Sequence, residues 1–308
     1  MTGNSALDAL APAAVLPLAL ALDRAFGELP DRWHPVAWLG RALGHAGRWA
    51  LAGASAGAQF ARGAFAWCAG AALVAASAYA VEQALWGALP PWGAALALAL
   101  LAKPTFAWRM LHDEVAAVEA ALARSLGQAR AQVARICSRD TSALDESGVR
   151  ETALESLAEN FNDSLVAPLL WFAVGGLAGA ALYRYANTAD AMWGYRGRWE
   201  WAGKWAARAD DALSWLPARA SALLLASPRL WPKLAREAAR TPSPNGGWPM
   251  GALALALAVR LAKPGVYALN PGAAAPQPQH VEAALRRARW AALAWVAVAS
   301  LLYAAVRV

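Results

Sequence analysis

Residues 63 to 81 and 290 to 306 are apolar almost without interruption, and runs of this length constrain the chain more than any other feature it carries. In hydrocarbon each backbone N–H and C=O must be satisfied internally, so such runs fold as helices. A crossing takes about 20 apolar residues. Five shorter or interrupted runs accompany them: Leu7 to Leu22, Leu85 to Ala102, Ser164 to Leu182, Ala212 to Ser227 and Met250 to Ala262. Pro90 and Pro91, Gly175 and Gly176, and Pro217 interrupt three of these, so some are expected to be re-entrant or buried in the bundle. Composition agrees, because 59% hydrophobic residues, 16% charged residues and seventeen tryptophans in 308 positions exceed what a soluble domain of this length carries. The expected fold is all-α: a polytopic membrane helical bundle, one membrane-embedded domain over 1–308, with amphipathic cytoplasmic helices between the membrane segments.

The N-terminus lacks a basic region and a small-residue cleavage site, so the first apolar run reads as retained structure. Cys68 and Cys137 cannot build a disulfide framework. Loop charges divide the early segments: Arg24, Arg32, Arg41, Arg48 and Arg62 follow the first run, whereas 82 to 91 hold no Lys or Arg. That contrast fits a cytoplasmic loop followed by an outer turn. Later connections are also basic, which strict alternation cannot place on one side; either some middle runs do not span, or a site there needs cations. The net charge of +7 suits a membrane surface or an anionic ligand, and without a nucleic-acid motif no such partner is expected.

The polar stretch 103–163 is a helical insertion. Leu111, Val115, Val118, Leu122 and Leu126 recur at threes and fours, then Ala129, Val133 and Ile136, which predicts two amphipathic helices broken at Gly127. Ser142 and Asp145 form an S-x-x-D capping signature for a third, with Val149, Ala153, Leu157 and Phe161 on its apolar face. That helix also carries Glu151, Glu155, Glu159 and Asp163 at successive fours. Four residues advance about 6 Å and rotate about 40° beyond a turn, so the set spans about 18 Å and only neighbours can share an ion. Like charges at this spacing oppose the helix. One reading is a solvated acidic face; the other is a cation site of the kind Mg²⁺ takes, with carboxylate oxygens, waters and substrate phosphates as ligands. Glu155, Glu159 and Asp163 form the expected working set, and Glu151 is expected to be merely solvated.

Further clusters follow. Tyr183, Asn187 and Asp190 share a helical face that Gly194 ends. Arg208 and Asp211 pair at i,i+3, as a structural ion pair or as part of a site. Arg219 sits inside an apolar run, where a guanidinium seeks a phosphate or carboxylate. Around Asn245, TPSPNGGWP reads as a turn or as an anion nest at a helix start. The histidines lack ligand spacing. Trp193, Trp199, Trp201 and Trp205 alternate with cations and suit a membrane interface or the flat face of a large ligand.

Together WHPVAWLGR (33–41), RDTSALD (139–145), ESLAENFNDSLVAPLLW (155–171), YRYANTADAMWGY (183–195), AARADDALSWLPAR (206–219) and SPNGGWPMGALA (243–254) resemble the cobalamin-biosynthesis membrane proteins CobD/CbiB, the adenosylcobinamide-phosphate synthases. The likeness runs from about Leu18 to Leu285. It departs at GELPDRWHPV, where the family reads GDP, and at Ser214, where the family has Asn. The resemblance implies a carbon–nitrogen ligase joining adenosylcobyric acid to (R)-1-amino-2-propanol or its O-phosphate, with ATP as substrate and Mg²⁺ as cofactor. It implies a multi-pass protein of the inner cell membrane, in contact with lipid, its active site facing the cytoplasm. Asp140, Glu155, Glu159, Asp163 and Asp190 are then the catalytic candidates, with Glu155, Glu159 and Asp163 as metal ligands. Arg139, Asn160, Asn187, Lys204, Arg208, Asp211, Arg219 and Asn245 are the substrate-binding candidates. A polytopic transporter and a non-catalytic signalling relative are the alternatives; a transporter would carry its charges within spanning segments, and a sensor would lack the acidic and Asn/Asp set.

Overall fold

The computed structural model describes residues Ser5–Arg307. Along the chain run α1 (Ser5–Asp8), α2 (Ala11–Phe26), α3 (Pro35–Leu51), α4 (Ala56–Ala88), α5 (Pro91–Ala102), α6 (Trp108–Leu122), α7 (Leu126–Val133) and α8 (Glu146–Phe161). A π-turn over Asn162–Val166 leads into α9 (Ala167–Trp193), followed by α10 (Lys204–Leu225), α11 (Trp231–Ala238), α12 (Gly247–Leu257), the hairpin β1 (Leu261–Lys263) and β2 (Tyr267–Leu269), and α13 (Pro278–Arg307). The hairpin is antiparallel, with Ala262 opposite Ala268.

Local chemistry sets many of these ends. Ser55 accepts from Ala58 N at 3.2 Å to open α4, and Ser125 accepts from Gln128 N at 3.2 Å to open α7. The break between α6 and α7 therefore falls at Ser125 rather than Gly127, which lies inside α7. Helix α8 starts at Glu146, three residues later than the S-x-x-D pattern suggests, because Asp145 is the cap and accepts from Gly148 N at 2.7 Å.

Four helical stretches are long and apolar enough to cross a membrane: Ala56–Ala88, Pro91–Leu122, Glu146–Trp193 and Pro278–Arg307. This is the pattern of a multi-pass membrane protein. Three expected runs fall short. Helix α2 has 16 residues with Pro17 inside, α10 contains Pro217, and α12 has 11 residues, a rise of about 16 Å against a core of about 30 Å.

The chain folds as two compact units. The first takes the residues up to Ala107, Ala167–Leu213 and Val296 onward. Here α4 packs along α9, and α3 packs on both. Leu43, Ala71, Tyr185, Ala189 and Trp193 form a buried cluster. The approach is close because Gly70 faces Tyr185, whose ring leaves no room for a Cβ. Within α9, Gly176 takes φ 61° and breaks the helix. The buried Glu82 carboxylate accepts from Leu177 N at 2.7 Å there and also holds Tyr303 and Arg307.

The second unit holds Trp108–Val166 and Ser214–Trp295. The polar stretch thus folds together with residues a hundred positions downstream. Helix α8 is its centre, packed by α6, α7, α12 and β1. All four expected apolar residues of α8 are buried, but so are Arg150, Glu151, Thr152, Glu155 and Ser156. Arg150 forks onto Glu119 with contacts of 2.8 to 3.2 Å. Glu151, expected to be solvated, is instead a clamp: Arg260 donates to it at 2.8 Å and Ala262 N at 2.8 Å. A carboxylate this deep must be paired, and the start of the hairpin supplies both donors.

Candidate active site

Helix α8 carries the acidic set, and the second unit gives each member a different environment. Arg139 reaches back from the loop before α8, donating to Thr152 Oγ1 at 3.1 Å and pairing with Glu155. Thr152 is itself anchored, donating to Gly148 O at 2.7 Å. Glu155 is buried, and its other oxygen, Oε1, has no hydrogen-bond partner among the described residues. Tyr267 closes this side, its phenol pushed up by burial and by the Glu155 carboxylate, while its hydroxyl donates to Met250 Sδ at 3.6 Å.

Glu159, one turn further, is exposed. Among the charges around its carboxylate Asp163 acts most strongly, then Glu155, with Lys263 and Arg139 in opposition. The glycine turn before α12 comes close, since a Cβ on Gly246 would lie 3.4 Å from Glu159 Oε1. Asp163 is half-buried and accepts from Asn162 Nδ2 at 2.7 Å. Asn162 in turn accepts from Ser221 at 3.0 Å, so the π-turn is tied to α10.

Arg219 lies between two indoles, its guanidinium carbon 4.3 Å from the Trp215 ring centre and 4.6 Å from that of Trp248. It donates to Asn245 Oδ1 at 3.0 Å and to Trp215 O at 2.8 Å. These acceptors are neutral, and among the described residues no carboxylate forms an ion pair with this guanidinium. Burial lowers its pKa, yet a guanidinium stays charged at neutral pH. The expected nest at Asn245 is different in kind. Ser243 Oγ accepts from both Asn245 N and Gly246 N, at 3.2 and 3.1 Å, so those amides are engaged by the protein itself.

Two candidates of this unit serve local structure. Asp140 is exposed and accepts from Ser142 N at 2.9 Å, a turn that holds its carboxyl below the usual range. Asn160 turns its amide back to Ser156 O at 3.0 Å. Sequence reasoning missed Lys263 and Tyr267. Their only local signal was Pro264-Gly265, a turn dipeptide between two short apolar runs.

The remaining candidates belong to the first unit. Asn187 accepts from Arg184 at 3.3 Å and donates to Asp210 at 3.4 Å, while Arg184 spans to Thr105 O at 2.6 and 2.8 Å. Asp190 stands one turn before the end of α9, where Gly194 N donates to its carbonyl at 2.6 Å. Lys204 rests over the Trp201 ring at 4.0 Å, with Glu200 3.5 Å away. Asp211 has its carboxyl pushed up by burial and pulled down by Arg208. Trp193, one of the four tryptophans read as surface or ligand-facing, is instead a core residue stacked on Trp199.

Among the described residues no three His, Cys, Asp or Glu side chains form a cluster that could hold a metal ion. The three-carboxylate set therefore does not assemble among the described residues, and Glu155 is paired through one oxygen with Arg139. Glu159 and Asp163 are left as a two-carboxylate pair. Mg²⁺ accepts such a pair, since it retains waters and substrate phosphates as its other ligands.

A largely helical fold with four stretches long and apolar enough to cross a membrane, and with the α8 carboxylates beside Arg139, defines a multi-pass membrane protein that carries a charged polar cluster. The chain belongs to the CobD/CbiB protein family, whose model matches residues 16–296. It is 41% identical over 288 residues to the cobalamin biosynthesis protein CobD of Rhodobacter capsulatus, covering 86% of this chain and 89% of that one. It is 39% identical over 295 residues to the probable cobalamin biosynthesis protein CobD of Thermococcus kodakarensis, covering 93% and 94%. With the CobD protein of Dehalococcoides mccartyi it shares 35% over 291 residues, covering 91% and 94%. No solved structure matches the chain.

Proposed function

We propose that this protein is an adenosylcobinamide-phosphate synthase, forming an amide between a propionate of adenosylcobyric acid and (R)-1-amino-2-propanol or its O-phosphate at the expense of ATP. The observation that carries this reading is the open Glu159 carboxylate beside the fixed Arg139–Glu155 pair, with Lys263 and Tyr267 brought in by the hairpin. Amide synthesis from a free carboxylate needs both an activated acyl group and a base, and this arrangement offers a base among cations.

In the proposed sequence a propionate oxygen attacks the γ-phosphorus of ATP and ADP leaves, giving an acyl phosphate. The amine nitrogen then attacks the acyl carbon, the C–N bond forms, and inorganic phosphate departs with the electrons of the acyl C–O bond. Glu159 takes the proton released from nitrogen. Arg219, resting against the Trp215 and Trp248 rings, meets phosphate oxygens as a two-pronged donor. Arg139 is positioned by Glu155 and Thr152 to stabilise developing negative charge. Mg²⁺ would be held by Asp163 together with waters and substrate phosphates and would neutralise phosphate charge, leaving Glu159 as the base. The enzyme is proposed to work in the inner membrane with this site on the cytoplasmic side, where ATP is supplied.

Incubating the purified protein with adenosylcobyric acid, aminopropanol phosphate, ATP and Mg²⁺ tests the reading. Mass spectrometry should detect the amide, with one ADP and one phosphate released per product. Vesicle uptake of a corrinoid without amide formation would instead establish a transporter.

A further inference from the structure

The link from α9 to α10 shapes an open recess of about 210 Å³ lying wholly within the first unit. Its frame is built by glycines. Gly194 N donates to Asp190 O at 2.6 Å and Gly203 N to Trp199 O at 2.8 Å. A Cβ on Gly203 would run into the Trp193 carbonyl, and Gly197 takes φ 80°. Trp193 and Trp199 stack beneath, with ring planes 12° apart. The recess is therefore preformed rather than made by a mobile loop.

Three cations line it, Arg196, Lys204 and Arg208, against two acids, Glu200 and Asp211. Glu200 sits 3.5 Å from Lys204 as a part-exposed i,i+4 pair, and the Asp211 carboxyl is pushed up by burial and pulled down by Arg208. A ligand with several anionic oxygens can meet all three cations through charge-assisted contacts. The volume is below the roughly 300 Å³ at which pockets for whole small molecules begin. It excludes a corrin but has room for a phosphate chain. Tyr195 on the wall is 57% exposed and offers a flat ring outside the charged centre.

We infer that this recess binds the polyphosphate chain of a nucleoside triphosphate, with the base resting on Tyr195. The inference rests on the ATP-dependent reading above and supplies the nucleotide contact that no sequence motif announces. A lipid headgroup presents the same phosphate chemistry, but three cations gathered in one recess match a polyphosphate better than a single phosphodiester.

The test uses the full chain in phosphatidylcholine nanodiscs, with labelled ATP binding measured by equilibrium dialysis. Arg196→Ala with Lys204→Ala should weaken ATP binding at least about tenfold, equivalent to about 1.4 kcal/mol. Inorganic tripolyphosphate should compete, and Tyr195→Ala should weaken ATP more than tripolyphosphate. Circular dichroism of each variant checks that the helices are intact. Unchanged ATP affinity in the double variant, or displacement of ATP by anionic lipid added to the discs, overturns the inference while leaving the ligase reading in place. A wild-type protein that binds no ATP overturns both.

Discussion

Glu82 accepts a hydrogen bond from the backbone N–H of Leu177, 95 positions away, at the point where Gly176 breaks α9. The restart of a helix leaves N–H groups without carbonyl partners, and in an apolar environment each needs an acceptor. Glu82 supplies one and is itself balanced by Arg307 and Tyr303. Replacing Glu82 with Ala should lower stability by about 3 kcal/mol, because it strands both a part-buried cation and a buried helix end. Thermal unfolding in detergent measures this. An unchanged midpoint would show that the carboxylate is not holding the kink.

Glu151 and Glu159 are both carboxylates of α8, yet the structure predicts opposite phenotypes for them. Glu159→Gln removes an open base and should lower kcat roughly 10²- to 10⁴-fold with little change in folding. Glu151→Gln loses the charged partner of Arg260 and should lower stability by about 1–3 kcal/mol, while kcat holds in the folded fraction. Parallel unfolding and single-turnover measurements separate the two. Equal losses of kcat in both variants would refute the division of labour.

That division was not legible from spacing. Glu151, Glu155, Glu159 and Asp163 repeat at one interval, and an interval says which residues neighbour each other on a helix but not what approaches from outside. The partners of Glu151 are Arg260 and Ala262, over a hundred positions later. Lys263 and Tyr267 escaped for the same reason, since only the folded hairpin brings them to α8. What the chain did declare was the apolar helices α4 and α13, where length and composition suffice. Local patterns lay in between. The S-x-x-D signature marked the region of the α8 start, but the turn joining Asp140 to Ser142 leaves Asp145 as the cap.

Acid should loosen the chain around Glu28. Burial raises the pKa of this carboxyl, but hydrogen bonds and charge from His34 and Lys103 outweigh it and leave the value below 4.5. A carboxylate with a depressed folded value contributes stability that is present above its unfolded pKa and lost as pH falls through the folded one. Wild type and Glu28→Gln should therefore differ in melting temperature near neutral pH and converge as pH falls below the unfolded carboxyl value and through the depressed folded one. A difference that persists at the acid end would mean the ion pair is not its source.

Arg219 offers the most direct check on phosphate recognition. Its guanidinium rests over the Trp215 and Trp248 rings, and its fork is aimed by Asn245 and the Pro244 carbonyl, 3.4 Å from Nη2. Lysine keeps the charge but has neither a plane to stack nor a fork to aim. Arg219→Lys should therefore raise KM for the phosphorylated amine about tenfold, the effect of losing one charge-assisted contact. Unphosphorylated aminopropanol, which lacks the oxygens this fork would grip, should show a smaller change. Steady-state kinetics with the two amines separate the outcomes. A KM that rises equally for both would place Arg219 in the scaffold of the site, and an unchanged KM for the phosphate ester would remove it from substrate recognition.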